Sequence, residues 1–171
     1  MPATVRGTEG YANEAETLFE RYEAVPFDAV HRAGLHLIPA APARILDIGA
    51  GTGRDAAAFA AMGHSVVAVE PTAALRNGAQ RLHPSPHISW LDDSLPDLER
   101  LRARAETFDF VAMTAVWMHL DETQRRRAMP NVAALIAPNG KLVMTLRHGP
   151  VPEPLDRIEG PAPVLRPKSR A

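Results

Sequence analysis

Five short apolar segments, separated by stretches of helical periodicity, limit the folds that this 171-residue chain can adopt. The segments lie at 44–48, 65–69, 87–91, 108–113 and 141–146. Their nearly continuous apolar character is typical of strands that are buried on both faces of a sheet. Strands that alternate with helices pair in parallel, with right-handed crossovers. The pattern therefore predicts an α/β fold: a doubly wound, mainly parallel, Rossmann-like sheet of about five strands with helices on both faces.

The segments between the apolar runs predict the helices. Helices are expected at 14–37, 55–62, 72–82, 96–105 and 122–137. Ser94 and Asp97 resemble a capping arrangement for the helix at 96–105. Asp121 and Gln124 form the same pattern before the last helix, in which Pro130 should cause a break or a kink.

Charge and composition limit the partners. The 19 basic and 20 acidic residues nearly balance, so no electrostatic surface for nucleic acid or an anionic membrane is indicated. There are no cysteines, which excludes disulfides and thiolate metal sites. No apolar run approaches the roughly 20 residues of a membrane span, and the N-terminus lacks the apolar core of a signal peptide. We therefore expect a cytoplasmic protein with a small-molecule partner, and neither nucleic acid nor membrane.

A glycine-rich loop, ILDIGAGTGRD at 45–55, follows the first predicted strand. In an open parallel sheet the ligand crevice lies beyond the carboxyl ends of the strands, where glycines let a ligand touch the main chain. A phosphate-binding loop of the nucleotide-hydrolase type would require Gly-Lys-Ser or Gly-Lys-Thr, but Arg54 and Asp55 follow the last glycine. A dinucleotide fingerprint, as in an NAD-linked oxidoreductase, would require glycine at position 54. The remaining pattern is G-x-G-x-G, preceded by the acidic residue Asp47.

Three further segments follow this loop in a characteristic order: VVAVEPT at 66–72, WLDDSLP at 90–96 and FDFVAMTAVWMHL at 108–120. Together the four segments resemble the class I S-adenosylmethionine-dependent methyltransferases, in particular their small-molecule methyltransferase domains. The resemblance covers about 43–146. It implies an enzyme that uses S-adenosyl-L-methionine to methylate an unidentified small molecule by in-line transfer. The alternative is a catalytically inactive or regulatory S-adenosylmethionine-binding domain.

The resemblance also implies which residues contact the cofactor. Glu70 follows the second strand, 23 residues after Asp47. This separation is close to the ~20-residue offset at which an acid accepts hydrogen bonds from ribose hydroxyls in related folds. Asp47 would orient the loop or bind the amino group of the cofactor, directly or through water. Of Asp92 and Asp93, we prefer Asp93 as the acceptor for the adenine amino group, and the main chain at Thr114 would face the methionine end. The other predicted contacts are Gly49, Ala50, Gly51, Gly53, Pro71 and Ser94.

His119 is the candidate catalytic residue. Imidazole titrates near neutral pH, and this position resembles a substrate-facing one in the family. A histidine that only holds the loop through a hydrogen bond is the other interpretation. Methyl transfer does not always need a base, because positioning and exclusion of water can supply much of the rate.

The resemblance divides the chain into a methyltransferase-like domain at 1–146, with a core at 43–146, and a tail. An N-terminal helical lid is expected at 1–40, with a possible interruption at Pro26. Tyr11, Phe19 and Tyr22 could cover the cofactor or could form an ordinary packed helix face. No metal site is expected, because His83 and His87 have no carboxylate or thiol at ligand spacing.

The last 25 residues, 147–171, contain six prolines. Proline cannot donate to a strand ladder and is disfavoured inside helices, so this tail should be irregular. The last two strands of the usual seven-stranded sheet are therefore expected to be missing. The strand at 141–146 would then be an edge, covered by the tail or by a second subunit in a homodimer.

Overall fold

Five parallel strands form a single sheet in the computed structural model, which describes residues 14–146. The strands are β1 (Arg44–Ile48), β2 (Ser65–Val69), β3 (Ile88–Leu91), β4 (Phe108–Met113) and β5 (Ile136–Met144). Their order is β3-β2-β1-β4-β5, and every neighbouring pair is parallel. The predicted fold class is thus confirmed. The strand order reverses between β1 and β4, which is where ligands bind in open α/β sheets.

Six helices accompany these strands within the described residues. They are α1 (Ala15–Glu23), α2 (Phe27–His31), α3 (Arg54–Ala61), α4 (Ala73–Leu82), α5 (Glu99–Arg102) and α6 (Glu122–Ala133). Short 3-10 helices lie at Leu35–Leu37 and Trp117–His119. The first helical region is interrupted as expected, since α1 ends before Pro26 and this proline occupies the N-cap of α2.

Alternate side chains of the strands pack on opposite faces of the sheet. Leu46 and Val67 belong to one buried cluster, together with residues of α5 and α6. Ile45 and Val66 belong to another, which includes Phe59 of α3. Both faces are therefore buried, and this explains why the strands have nearly continuous apolar sequences.

The helix expected at 96–105 is much shorter, and the predicted capping by Ser94 and Asp97 is wrong. Leu98 occupies the N-cap of α5 in a left-handed conformation, with φ 48°, so helical geometry begins only at Glu99. A different carboxylate serves the turn, because Asp93 accepts a hydrogen bond from the backbone N–H of Leu101 at 2.8 Å.

The capping box of α6 is confirmed. Asp121 accepts from the N–H of Gln124 at 2.8 Å, and the Gln124 side chain accepts from the N–H of Asp121 at 2.9 Å. Of the break or kink expected at Pro130, the break is wrong, because α6 continues through this residue and ends one turn later, at Ala133. The kink stays a prediction. The helix stops short of residue 137 because β5 already begins at Ile136.

β5 begins earlier than Lys141, the expected first residue. The segment from Pro138 to Gly140 resembles a turn in sequence, but it forms an irregularity within the strand, where the register to β4 shifts between Phe108 and Phe110. β5 is the end strand of the sheet formed by the described residues, as expected for an edge. The homodimer through this edge remains a prediction.

Two expectations concern residues outside the described range. The irregular tail and the missing sixth and seventh strands were inferred for 147–171, and Tyr11 precedes the first described residue. Within 14–146, no helix is long and apolar enough to cross a membrane.

Candidate functional site

A cavity of about 310 Å³ lies beyond the carboxyl ends of β1, β2 and β4. It contains all of the predicted site residues except Gly53. These are Asp47, Gly49, Ala50, Gly51, Glu70, Pro71, Asp93, Ser94, Thr114 and His119. Four motifs that are distant in sequence therefore meet at one place, because parallel strands bring their carboxyl ends to the same edge of the sheet.

Glu70 joins the glycine-rich loop to the end of β2. Its Oε2 accepts a hydrogen bond from the N–H of Gly51 at 2.9 Å, and its Oε1 accepts from the N–H of Thr72 at 2.8 Å. Burial raises the pKa of this carboxyl, while these two backbone donors act in the opposite direction. Each carboxylate oxygen can accept more than one hydrogen bond, so Glu70 can still bind hydroxyl groups in the cavity.

The three glycines of the loop serve different purposes. A Cβ at Gly51 would have no atom of the described residues within 4 Å, whereas a Cβ at Gly49 would clash with the side chain of Val116. Gly53 does not line the cavity, so its predicted cofactor contact is not supported. A Cβ there would lie 3.0 Å from the Trp90 ring, and its φ of +88° turns the chain into α3. Only Gly51 leaves open space for a ligand in the way expected of all three.

Asp47 has an unused acceptor at the floor of the cavity. The side chain is 1% exposed, and its Oδ2 has no hydrogen-bond partner among the described residues. Burial raises the pKa of Asp47 well above its ordinary value, and the negative charges of Asp55 and Glu70 raise it further. Buried polar atoms in proteins are nearly always hydrogen-bonded, so Oδ2 calls for a donor.

Asp55 is a third buried acid in the cavity wall, after Asp47 and Glu70, and the sequence interpretation did not include it. Its Oδ2 accepts from Nε2 of His31 at 2.6 Å and from Oγ1 of Thr114 at 2.9 Å. Its Oδ1 accepts from Nε of Arg54 at 2.8 Å. Burial by itself would raise the pKa of Asp55, but the His31 hydrogen bond and the charge of Arg54 outweigh it and lower the pKa. Its position just after the glycine loop could have indicated a site residue.

The choice between the two acids after β3 agrees with the geometry. Asp93 lines the cavity, and its Oδ1 accepts from the N–H of Ser94 at 2.9 Å. Asp92 lies outside the cavity, 43% exposed, and pairs with Arg76 at 3.3 Å and Arg100 at 3.6 Å. Asp93 therefore lines the cavity and holds the local turn, and its role toward adenine stays a prediction.

The segment after β4 forms another wall. The N–H of Ala115 donates to Oγ1 of Thr145 at 2.6 Å, and Ala115 has a φ of 56°, an uncommon conformation for a residue other than glycine. This turn leads into the 3-10 helix that brings His119 to the cavity. The backbone N–H of His119 donates to the carbonyl of Val116 at 3.0 Å.

The N-terminal region covers part of the cavity. Tyr22, Val25 and Val30 line it. Phe19 instead packs against α4, where a Cβ at Gly78 would lie 2.5 Å from its ring. Of the two described aromatic residues expected in a lid, Tyr22 thus reaches the cavity and Phe19 belongs to a packed face.

No group of three His, Cys, Asp or Glu side chains within 14–146 is arranged to hold a metal ion. His83 instead lies 3.2 Å from a carboxylate oxygen of Glu23.

The residues that line the cavity define an acidic, glycine-lined site at the switch point of a parallel sheet. This is the kind of site that binds a nucleoside-containing cofactor.

Comparison with known proteins identifies the family. Residues 18–166 match the family described as a methyltransferase domain. The chain belongs to this family, and its fold is that of the class I S-adenosylmethionine-dependent methyltransferases.

Curated relatives and solved structures agree with this assignment. An uncharacterized methyltransferase from Bacillus pumilus (strain SAFR-032) is 27% identical over 136 residues, covering 78% of this chain and 57% of the relative. One from Geobacillus kaustophilus (strain HTA426) is 27% identical over 139 residues, covering 81% of this chain and 59% of the relative. The chain thus spans less than two thirds of the length of these two relatives.

Two solved structures have the same fold. The N-methyltransferase NodS from Bradyrhizobium japonicum WM9, in complex with S-adenosyl-L-homocysteine, gives a TM-score of 0.63 at 20% identity, covering 79% of this chain and 72% of NodS. A TehB-like SAM-dependent methyltransferase from Corynebacterium glutamicum gives a TM-score of 0.61 at 21% identity, covering 77% and 72% respectively.

Proposed function

We propose that this chain binds S-adenosyl-L-methionine and catalyses in-line methyl transfer to a small molecule. The observation that carries the proposal is the buried Oδ2 of Asp47 at the floor of the cavity, for which residues 14–146 supply no hydrogen-bond partner. An ammonium group would give this oxygen a charged donor, and the amino-acid end of S-adenosylmethionine has one. Family membership supports the same cofactor.

The cavity residues fit the other parts of the cofactor. Glu70 would accept hydrogen bonds from the ribose hydroxyls, beside the open space at Gly51. Asp93 and Ser94 would face the adenine, and the main chain at Thr114 would face the methionine end. Gly49, Ala50 and Pro71 would supply the remaining contacts. A cavity of about 310 Å³ is at the lower end of the ~300–1,000 Å³ that is usual for small-molecule sites.

Bound S-adenosylmethionine supplies a methyl group on a sulfonium, which is already activated for transfer. The protein therefore has to position the acceptor and exclude water rather than activate the donor. Val25, Val30, Val116 and Leu120 give the cavity apolar walls that can exclude water.

His119 is the residue we propose for proton transfer. It lines the cavity on a short 3-10 helix, next to Leu120. An imidazole nitrogen there could take the proton released by a neutral hydroxyl or amine acceptor. A carboxylate acceptor would need no such help, so the effect of replacing His119 depends on the acceptor.

The N-terminal helices complete the proposed architecture as a lid on the core at 43–146. The lid carries Tyr22, Val25 and Val30 into the wall of the cavity. A cavity partly covered in this way suits a small molecule better than a macromolecular substrate.

Calorimetric titration with S-adenosylmethionine, S-adenosylhomocysteine and NAD tests the cofactor. We expect binding of the first two and weak or no binding of NAD, and tighter binding of NAD would contradict the proposal. Formation of S-adenosylhomocysteine with a panel of small amines, phenols and carboxylates then tests transfer. Cofactor binding without turnover on any acceptor would favour the inactive or regulatory binding domain.

A further inference from the structure

One carboxylate, that of Asp55, connects the N-terminal helices to the floor of the cavity. Asp55 lies in the first turn of α3, directly after the glycine-rich loop. His31, at the end of α2, donates to its Oδ2 at 2.6 Å, and Thr114, at the end of β4, donates to the same oxygen at 2.9 Å. Oδ2 of Asp55 thus links α2, through His31, to the end of β4, through Thr114.

Arg54 makes a second connection to the same carboxylate. Its Nε and Nη2 both lie 2.8 Å from Oδ1 of Asp55, and its Nη1 donates to the carbonyl oxygens of Tyr22 at 3.2 Å and Val25 at 3.4 Å. These carbonyls lie at the end of α1 and in the turn before α2. Arg54 therefore ties the segment that carries two wall residues of the cavity to Asp55.

Water screens these connections less than it screens surface ion pairs. The side chains of His31 and Asp55 are 10% and 6% exposed, whereas exposed pairs contribute little because water screens them. Phe27 packs between His31 and α3. The centroid of its ring lies 4.5 Å from that of the His31 imidazole and 5.2 Å from that of the Phe59 ring on α3.

We infer that His31, Asp55 and Arg54 are positioning residues that hold α1 and α2 over the cavity and so set the rate at which the cofactor leaves. This inference rests on the proposed function. His31 does not line the large cavity, so an effect of its replacement on the cofactor has to pass through Asp55 and α2. His31 is for that reason the most informative position to change.

The test compares His31→Leu with His31→Gln. Leucine removes the donor, while glutamine keeps an N–H donor near the position of Nε2. Stopped-flow measurement should show that His31→Leu raises the dissociation rate of S-adenosylhomocysteine about tenfold, as expected for loss of a charge-assisted hydrogen bond, and that His31→Gln recovers most of this loss. Arg126→Gln is the matched control, because it removes the exposed pair with Glu122 on α6.

Hydrogen exchange measured for each helix and strand separates a loosened lid from general destabilisation, because general destabilisation would change the exchange of the α1, α2 and β1 amides together. Binding of S-adenosylhomocysteine should slow exchange of the α1 and α2 amides in the wild type and in the control, but much less in His31→Leu. The β1 amides should be slowed alike in all three. If His31→Leu does not fold, Arg54→Met cuts the second connection and is measured in the same way.

The outcomes separate the two proposals. If the wild type does not bind S-adenosylhomocysteine, the proposed function is contradicted. If the wild type binds, but the folded variants release the ligand within about twofold of its rate and their α1 amides respond as in the wild type, the positioning role is contradicted.

Discussion

The two ends of the sheet treat buried polar atoms differently. At the carboxyl ends, Asp47 lines a cavity with Glu70 and has one oxygen with no hydrogen-bond partner in the described part of the chain. At the amino ends, His64 precedes β2 and is 1% exposed, and its Nδ1 accepts from the N–H of Ala43 at 3.2 Å. Its Nε2 also lacks a hydrogen-bond partner among the described residues, but His64 lines no cavity described above.

The difference shows how an unpaired buried atom should be interpreted. Such an atom is costly at either end, but only an atom beside open space can be satisfied by a ligand. At the amino ends the exposed charges pair within the chain, as Arg44 does with Glu106 at 2.9 Å. At the carboxyl ends burial raises the pKa of both Asp47 and Glu70, so their negative charges cost stability and favour a cationic ligand.

The largest effect is expected for Glu70→Ala. It removes the acceptor of the Gly51 N–H and the proposed ribose ligand, at roughly 1.5–3 kcal/mol for each charge-assisted hydrogen bond. Calorimetry should show cofactor affinity lower by about a hundredfold or more. Glu106→Ala removes a carboxylate from the opposite end and should leave affinity unchanged. Equal affinity of both variants and the wild type would show that Glu70 is only structural.

Gly51 and Gly63 offer a matched pair. Both have positive φ, +55° and +91°, and a Cβ at either would meet no atom of residues 14–146 within 4 Å. Alanine should therefore cost each about 1–2 kcal/mol of unfolding free energy, from the left-handed backbone. Only Gly51→Ala should lower cofactor affinity, by at least about tenfold if the methyl group occupies ligand space. An equal loss of affinity in Gly63→Ala would mean that destabilisation explains both.

Asp47→Asn should change binding and stability in opposite directions. Asparagine keeps an acceptor oxygen but loses the charge, so cofactor affinity should fall about fivefold. The raised pKa of Asp47 means that the folded state holds its proton more tightly than the unfolded state does. The stability associated with that proton is present at low pH and lost as pH rises through the folded pKa. Urea unfolding near pH 8 should therefore show the variant to be more stable than the wild type, and lower stability would contradict this interpretation.

The smallest effect is expected for His64→Leu at the amino ends. Burial lowers the pKa of His64, so the unfolded chain takes up a proton first as pH falls below the ordinary value of 6.5. Stability should therefore fall with decreasing pH in that range, and less steeply in the variant. Urea midpoints at about pH 7.5 and about pH 5.5 measure this difference. Cofactor affinity of the variant should equal that of the wild type at either pH. A lower affinity at neutral pH would show that His64 affects the cavity at the carboxyl ends of the strands, which would contradict this prediction.

Local motifs explain which parts of this molecule can be predicted from its sequence. The apolar strands, the loop around Gly51, the acid Glu70 and the capping box at Asp121 each lie within a few residues, so their patterns can be read directly. β5 could not be delimited, because its Pro138 to Gly140 segment has the composition of a turn. Its place in the strand depends on pairing with β4.

Hydrogen bonds and packing contacts between individual side chains that are distant in sequence could not be predicted. His31 and Asp55 lie in different elements, and no local pattern relates them. The same holds for Gly53, where a Cβ would lie 3.0 Å from the Trp90 ring, a contact that no local pattern indicates. A sequence shows where a glycine stands, but the structural reason for that glycine depends on which atoms pack against it.

A crystal structure with S-adenosylhomocysteine bound tests the central claim most directly. We expect the ligand in the cavity at the carboxyl ends, with its ammonium nitrogen within hydrogen-bond distance of Oδ2 of Asp47 and its ribose hydroxyls on Glu70. A ligand bound elsewhere, or one seated in the cavity while Oδ2 of Asp47 still lacks a donor, would contradict the account.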